Sequence, residues 1–417
     1  MLIETALNQY ARHQGFVYAK SSFSEDRSII QVQVRPARRS RPVCSICGRP
    51  GACHDVLSER RYDFIPLWLM PVVLVYAPRR VRCRHCGVHV ERIPWATLPK
   101  SPITRHLALW LSSWARELPW STVARLCGVS WDTVAAAATW VVQWGMGRRN
   151  LDGVTSIGVD ELYTGRRGKF ITLVYELGRG CRRLLWMGRG KGSQTLERFF
   201  AIWGEERSHG LQHVCTDMSA AYITVVRRCC QKALLILDKF HIIKNLNEAI
   251  TQTRRSEAAR LTQNGKTVLK NARWILVKNR DNLKDDERER LTQILKSNLN
   301  TAKGYLLAED FKRFWDYFSP FHARRFLESW ITDVLRHRSL VYFKAFARTL
   351  RSHADLILNY FEARKEFTSA AVEMMNGQVR STISSARGYR YDSTLEIALF
   401  LRLGGLPIPA VGYRFSG

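Results

Sequence analysis

TSIGVDEL (155–162), KFITLVYEL (169–177) and CRRLLWMGRG (181–190) follow one another closely, and these three runs decide what kind of fold the chain can adopt. Each is short, rich in β-branched or large apolar residues, and bounded by Gly or charge, which is the composition of a strand. Working outward, an amphipathic helical segment (194–206) comes next, then a strand ending in CTDMS (215–219). A helix over 219–230 and a last strand, ALLILDKFH (233–241), complete the series.

The order strand-strand-strand-helix-strand-helix-strand, with a late helix to follow, is that of the ribonuclease H-like fold. In that fold the ends of the first and fourth strands lie side by side and the late helix runs past them. The positions of the acids then acquire meaning. Asp160 ends the first strand, Asp217 ends the fourth just before a helix, and Glu373 lies on the helical segment AAVEMMNGQVRSTI (370–383). Positions 373, 376 and 380 share one edge of that helix, so Glu373, Asn376 and Arg380 are expected to face one site. Glu362 and Glu366 compete with Glu373 for the role. Three carboxylates meeting at one point cannot all ionise without a cation, and Mg²⁺ (or Mn²⁺), two per site, suits an all-oxygen donor set. The plain alternatives are a hairpin acid for Asp160, a helix cap for Asp217 and a surface acid for Glu373. Asp238, at the end of the fifth strand in DKFH (238–241), is the spare acid, and His241 is an accessory candidate beside it.

Between the fifth strand and the late helix, about 242–365 is charged and helical by period, as in KDDERERLTQILKSNL (284–299). Its Trp315, Trp330, Phe321 and Phe326 read as helix-packing core more readily than as wedges against DNA bases.

Toward the N-terminus, Cys44-Ser-Ile-Cys47-Gly and Cys83-Arg-His-Cys86-Gly are a matched pair of CxxCG knuckles separated by 35 residues. Two residues between cysteines let one tight turn aim both thiolates at one ion, and the following Gly accepts the turn's backbone angles. Four such ligands make a closed, structural zinc site holding one Zn²⁺. His54, His85 and His89 lie nearby but find no vacancy in it. Cys53, Cys127, Cys181, Cys215, Cys229 and Cys230 sit in apolar patterns and read as small core residues. Beyond the knuckles, WSTVARLCGVSWDTV (120–134) has the pattern of two short helices around a turn. Ala124 suits the crossing, Gly128 the turn, and Ser130 the cap of the second helix. Ser130, Trp131 and Thr133 would then open a DNA-recognition helix. That helix is poor in cations, so phosphate contacts must come from the basic arm, Arg35, Arg38, Arg39 and Arg41, or from Arg79, Arg80, Arg82 and Arg84.

Composition agrees with a polyanionic partner. The 417 residues carry 65 Lys and Arg against 36 Asp and Glu, a formal net charge of +29. Such a surplus repels itself unless something neutralises it, and Arg forks bind phosphate. The N-terminal stretch has no apolar signal segment, and the longest apolar run, LWLMPVVLVYA (67–77), is interrupted by Pro71 and too short to span a bilayer. A cytoplasmic, nucleoid-associated bacterial protein without membrane contact is the expectation.

These residues together resemble the ISL3 family of bacterial insertion-sequence transposases. The resemblance runs through both knuckles, the paired helices, GVDE (158–161), TDMSAAY (216–222), DKFHIIKNLNEA (238–249) and AVEMMN…ARGYR (371–390). It implies a cut-and-paste enzyme using a DDE triad, which maps onto Asp160, Asp217 and Glu373. It also implies an all-helical insertion before the final Glu, consistent with 156 positions from Asp217 to Glu373 against 57 from Asp160 to Asp217. One departure stands out: the family often places Gly directly after that Glu and two Asn soon after, where this chain has Met374, Met375 and the single Asn376.

The expected architecture is multidomain α+β. An N-terminal arm (1–43) precedes a zinc-ribbon DNA-binding module (44–100) and a helix-turn-helix bundle (101–150). The ribonuclease H-like α/β core follows in two parts (151–245 and 366–403), interrupted by the helical insertion (246–365), with a tail (404–417). The expected partners are double-stranded DNA, as terminal inverted repeats and target, and a second copy of the chain on that DNA. Two alternatives compete with the transposase: a nuclease on the same fold that does not join strands, and a zinc-ribbon/helix-turn-helix regulator without chemistry.

Overall fold

The computed structural model describes residues 2–97, 102–165, 170–178, 182–263, 268–297, 299–365 and 369–410. Cys181 and Glu366 therefore lie outside the described residues. The chain falls into two compact units, Met1–Leu151 with Gln378–Gly417, and Asp152–Gly377. Among the described residues it is mixed α and β, with three sheets.

The first unit opens with α1 (Ile3–Tyr10), β1 (Phe16–Phe23) and β2 (Ile30–Pro36), then β3 (Ala52–Val56), β4 (Arg60–Leu67), β5 (Met70–Tyr76), β6 (Arg79–Cys83) and β7 (Gly87–Val90). β2 shows a half-buried alternation, with Ile30, Val32 and Val34 inward and Gln31 and Gln33 only partly covered. The sheet order is β1-β2-β5-β4, and β2 and β5 run parallel. Trp95 is fully buried in this core, with the rings of Phe16, Tyr76 and Tyr62 meeting it edge-on at 5.0, 5.4 and 5.8 Å. A separate three-stranded sheet, β3-β6-β7, carries the second knuckle.

The N-terminal arm and the segment between the knuckles share one sheet. The 35 residues between the knuckles send out the β4–β5 hairpin, which pairs with β2 and so joins β1 and β2 in one sheet. The arm's strands are core because their apolar face has to be covered, and the hairpin strands complete the sheet that covers it.

Three helices follow: α2 (Arg105–Glu117), α3 (Trp120–Cys127) and α4 (Trp131–Met146). Thr104 caps α2 by accepting from Leu107 N, and Ser130 caps α4 by accepting from Thr133 N at 3.1 Å. Gly128 ends α3 at φ +65°, a left-handed position that glycine takes without penalty. Val123 and Val134 are fully buried between these helices.

The second unit begins with β8 (Ser156–Tyr163), β9 (Phe170–Glu176) and β10 (Leu184–Arg189). Helices α5 (Ser193–Trp203) and α6 (Glu205–His209), strand β11 (His213–Thr216), helix α7 (Ala220–Cys229) and strand β12 (Leu234–Leu237) follow. The sheet order is β10-β9-β8-β11-β12. β9 is antiparallel to both neighbours, while β11 is parallel to β8 and β12. The long helix α8 (Lys239–Gln263) leaves the sheet directly after Asp238.

Helices α9 (Arg273–Val277), α10 (Asp285–Lys296), α11 (Asn300–Lys312), α12 (Pro320–Arg336), α13 (Val341–Ser352) and α14 (Ala354–Glu362) form the region expected to be helical. Its packing is that of a folded bundle. The buried carboxylate of Glu257 on α8 accepts from Asn300 N and Thr301 N, supplying the donors at the start of α11 with an acceptor. Trp315 and Trp330 are core, and Trp330 donates to Leu307 O. Phe326 packs on Phe314 and Tyr317, but Phe321 is 63% exposed and does not belong to that core. α14 lies against β12, where Asn359 donates to Leu235 O at 2.7 Å.

Helix α15 (Ser369–Ser385) contains the boundary between the units, and α16 (Asp392–Leu403) returns to the first unit to pack on α2 and α4. No helix of the described residues is long and apolar enough to cross a membrane.

Candidate active site and metal centre

Strand register builds the acidic site. On β8 and β11 the last paired positions are Gly158 and Cys215, and Asp160 and Asp217 each stand two residues further on. On β11 and β12 the last pair is Thr216 with Leu237, and Asp217 and Asp238 are the next residues. Asp217 and Asp238 therefore stand just past the ends of β11 and β12, level with Asp160. Asp160 itself lies within β8, where that strand runs on beyond its pairing with β11 to Tyr163 along β9; this corrects the expectation that Asp160 ends its strand. Asp238 N donates to Thr216 O at 2.9 Å, which carries the pairing to the point where the chain turns into α8.

Each carboxylate is oriented by backbone donors. Asp160 Oδ1 accepts from Glu161 N, Asp217 Oδ1 from Ser219 N, and Asp238 Oδ1 from Phe240 N, at 2.8, 2.9 and 2.8 Å. Asp238 is buried, and its second oxygen meets His241 Nδ1 at 2.9 Å. Burial pushes the Asp160 carboxyl above its ordinary value and the charge of Asp238 adds to this, while Glu161 N–H, His241 and Asn376 oppose it. The hydrogen bond to Asp238 raises the His241 imidazole despite its burial, and the charges of Asp238, Asp160 and Asp217 all contribute. These contacts favour the protonated form of His241.

α15 is brought in by a small residue. A Cβ at Gly158 would stand 2.8 Å from Val372 Cγ2 and 2.9 Å from Leu177 Cδ1, so only glycine lets helix and strand approach this closely. Asn376, one turn after Glu373, donates to Asp160 Oδ2. Glu373 is half-buried with its Oε1 shielded from solvent. The structure therefore gathers Asp160, Asp217, Asp238, His241 and Asn376. Among the described residues, Asp160, Asp217 and Glu373 do not bring ligand atoms to within 4.8 Å of one another, as the four cysteines do. Arg380 is exposed and belongs to the other unit.

Glu161, pointing away from Asp160 on the same strand, accepts from Gly192 N at 3.3 Å. It also acts on the buried Tyr222 hydroxyl, which shares a hydrogen bond of 3.0 Å with Thr172. The Glu of GVDE and the Tyr of TDMSAAY are thus linked on the face of β8 opposite Asp160, a pairing whose signal in the sequence is only their shared presence in the motifs.

The cysteines form the second site. The Sγ atoms of Cys44, Cys47, Cys83 and Cys86 all lie within 4.8 Å of one another. A tetrahedron with zinc–sulfur bonds of the usual length has sulfurs about 3.8 Å apart, so the donor set fits zinc. Gly48 and Gly87 follow the knuckles at φ +70° and +84°. Backbone N–H groups of His85 and Cys86 lower the Cys83 thiol to about 6, whereas burial and the adjoining thiols push Cys86 up to about 12. A dication relieves that mutual opposition. His85 contacts Arg49, and His89 Nε2 contacts Cys86 O, so neither substitutes for a cysteine.

One expected phosphate contact is corrected. Arg79 is buried, its Nε and Nη2 bound to Glu91 at 3.0 and 2.7 Å and its Nη1 to Ser40 O at 3.1 Å. Its guanidinium satisfies a buried carboxylate and has no face left for DNA. Arg80 is half-exposed and paired with Asp55. Arg82 contacts His54, and Arg82, Arg84 and the arm's Arg35, Arg38, Arg39 and Arg41 are all exposed. At the other candidate interface, Trp131 is 43% exposed and leans on Trp120, and the Ser130 hydroxyl is engaged by Thr133.

Residues 157–398, more than half of the chain, match the ISL3 family, whose description is "Transposase". The chain belongs to the ISL3 family of transposases, a class of DNA-processing enzyme. It is 25% identical over 398 residues to the transposase for insertion sequence element IS1001 of Bordetella parapertussis, covering 94% of this chain and 96% of that one. It is also 26% identical over 416 residues to the transposase for insertion sequence element IS1557 of Mycobacterium tuberculosis, covering 91% and 90%.

Proposed function

We propose that this transposase binds the terminal inverted repeats of an insertion sequence and catalyses metal-dependent strand cleavage and strand transfer by a cut-and-paste route. The observation that carries the proposal is the row of aspartates level with one another on β8 and just past β11 and β12, with α15 tied to Asp160 through Asn376. The sheet order supports reading Asp152–Gly377 as a ribonuclease H-like core with its helical insertion.

Asp160, Asp217 and Glu373 are the residues that would hold two Mg²⁺ or Mn²⁺ ions. The donor set is all oxygen, the kind that hard divalent cations prefer. When bound, such ions activate water or a 3′-hydroxyl and stabilise the leaving oxygen in line. Asp160 stays oriented throughout by Glu161 N–H and Asn376. His241, held by Asp238, stands beside the acids, where its protonated form would favour an anionic substrate.

In the first unit, the four cysteines hold one structural zinc. α3 and α4 act as a helix-turn-helix with Ser130, Trp131 and Thr133 at its reading end, and the exposed arginines bind phosphates. Two copies act together, because two DNA ends have to be joined to one target.

The test uses purified protein, DNA carrying the element's ends, and Mg²⁺ or Mn²⁺. Asp160→Ala, Asp217→Ala and Glu373→Ala should abolish cleavage and joining while end binding persists. Wild-type cleavage by Asp160→Ala would sink the proposal. Loss with Asp238→Ala but not with Glu373→Ala would move the third acid to Asp238. Cleavage with no joined product would favour the nuclease.

A further inference from the structure

Asn376 is only 2% exposed, and a buried amide has to satisfy its hydrogen bonds or destabilise the fold. Its Nδ2 donates to Asp160 Oδ2, and its Oδ1 accepts from Tyr175 Oη at 2.8 Å. Tyr175 stands on β9 directly opposite Gly158 and is fully buried.

Chemistry dictates the proton positions in this chain of contacts. An ionised carboxylate can only accept, so the amide has to turn its NH₂ toward Asp160. The amide oxygen then faces the phenol, whose O–H donates. A flipped amide would set oxygen against carboxylate. The other oxygen of Asp160 is held by Glu161 N at 2.8 Å. Each carboxylate oxygen is therefore fixed by one donor and keeps a lone pair for another partner.

We infer that Asn376 and Tyr175 are positioning residues that fix the rotation of the Asp160 carboxylate for a divalent cation and tie it to the helix carrying Glu373. The inference rests on Asp160 being a metal-holding acid, as proposed above. It gives Asn376 a role separate from that of Glu373, although both lie on the same edge of α15. Groups that orient a ligating carboxylate set its affinity for metal without touching the ion.

The experiment measures Mn²⁺ binding to the full-length protein without DNA, from the paramagnetic resonance signal of the free ion, alongside thermal unfolding and zinc content. Asn376→Leu should weaken Mn²⁺ binding about tenfold or more. Tyr175→Phe, which leaves the amide free to flip, should weaken it less but in the same direction, with unfolding temperature and zinc content unchanged. Asp160→Asn is the control and should weaken it most. Should Asn376→Leu fail to fold, Tyr175→Phe carries the test. Wild-type Mn²⁺ affinity in both positioning variants, with Asp160→Asn impaired, would overturn the inference alone. Wild-type affinity in Asp160→Asn as well would overturn both the inference and the metal assignment beneath it.

Discussion

Gly158 and Val372 meet where β8 and α15 pack, and the glycine's missing Cβ is the space that Val372 occupies. The contact lies two residues before Asp160 on the strand and one before Glu373 on the helix. Gly158→Val should therefore act on the acids as well as on stability. Overpacking of this kind costs roughly 1–3 kcal/mol. The expected result is lower thermal stability and loss of metal-dependent cleavage with DNA-end binding retained. Gly158→Val with full cleavage activity would show that the close approach does not matter to the acids.

Arg79 and Arg84 should separate cleanly. Removing Arg79 leaves Glu91 buried without its ion pair, a change that costs about 3–5 kcal/mol. Arg79→Leu should lower the unfolding temperature sharply, and any loss of DNA binding should track unfolding. Arg84→Ala should leave stability within about 0.5 kcal/mol and reduce the salt dependence of DNA binding by about one unit of slope. Equal effects of the two changes on stability would contradict this division.

His13 and His106 sit in the core of the first unit with ring centroids 5.9 Å apart, and burial holds both near 4, well below the ordinary histidine value of 6.5. The unfolded chain takes up these protons first. Stability should thus be full above about pH 6.5 and fall as the pH drops from there toward 4. Each shift corresponds to an upper bound of roughly 3 kcal/mol. His106→Phe should flatten the decline in unfolding temperature between about pH 6.5 and 4.5, and an unchanged slope would rule the pair out as its source.

Zinc should be stoichiometric and confined to the first unit. One ion per chain is expected in the purified protein, lost in Cys44→Ser or Cys83→Ser together with end binding. Metal analysis and a binding titration check this, and normal end binding by a zinc-free protein would be the contrary result.

The parts legible in the sequence are those governed by local geometry. A CxxCG knuckle is a turn of fixed shape, so two of them announce a four-cysteine cluster, and Ser130 and Gly128 mark helix ends through backbone needs that neighbouring residues meet. Asp217 and Asp238 are visible as strand ends, because strand composition stops where each of them stands, whereas Asp160 lies within β8, whose last residues are held by pairing with β9. Arg79 misleads because its neighbours Arg80, Arg82 and Arg84 suggest a basic surface, while Glu91, the residue that pairs with it in the interior, is twelve positions away. The β1–β2 segment looks like an arm because its sheet partner, β5, lies beyond the first knuckle.

Sequence by itself determined the ISL3 resemblance, the cysteine cluster, the strand and helix types, and that Asp217 and Asp238 stand at strand ends, since each follows from spacing or periodicity within a short window. Tertiary structure alone decided which of those acids share a site. Parallel register aligned Asp238 with Asp217 and Asp160, and the hydrogen bond between Asn376 and Asp160 joins residues 216 positions apart. Such contacts depend on how closely a helix can approach a strand, and that is set by packing volume at residues like Gly158, which no local pattern encodes.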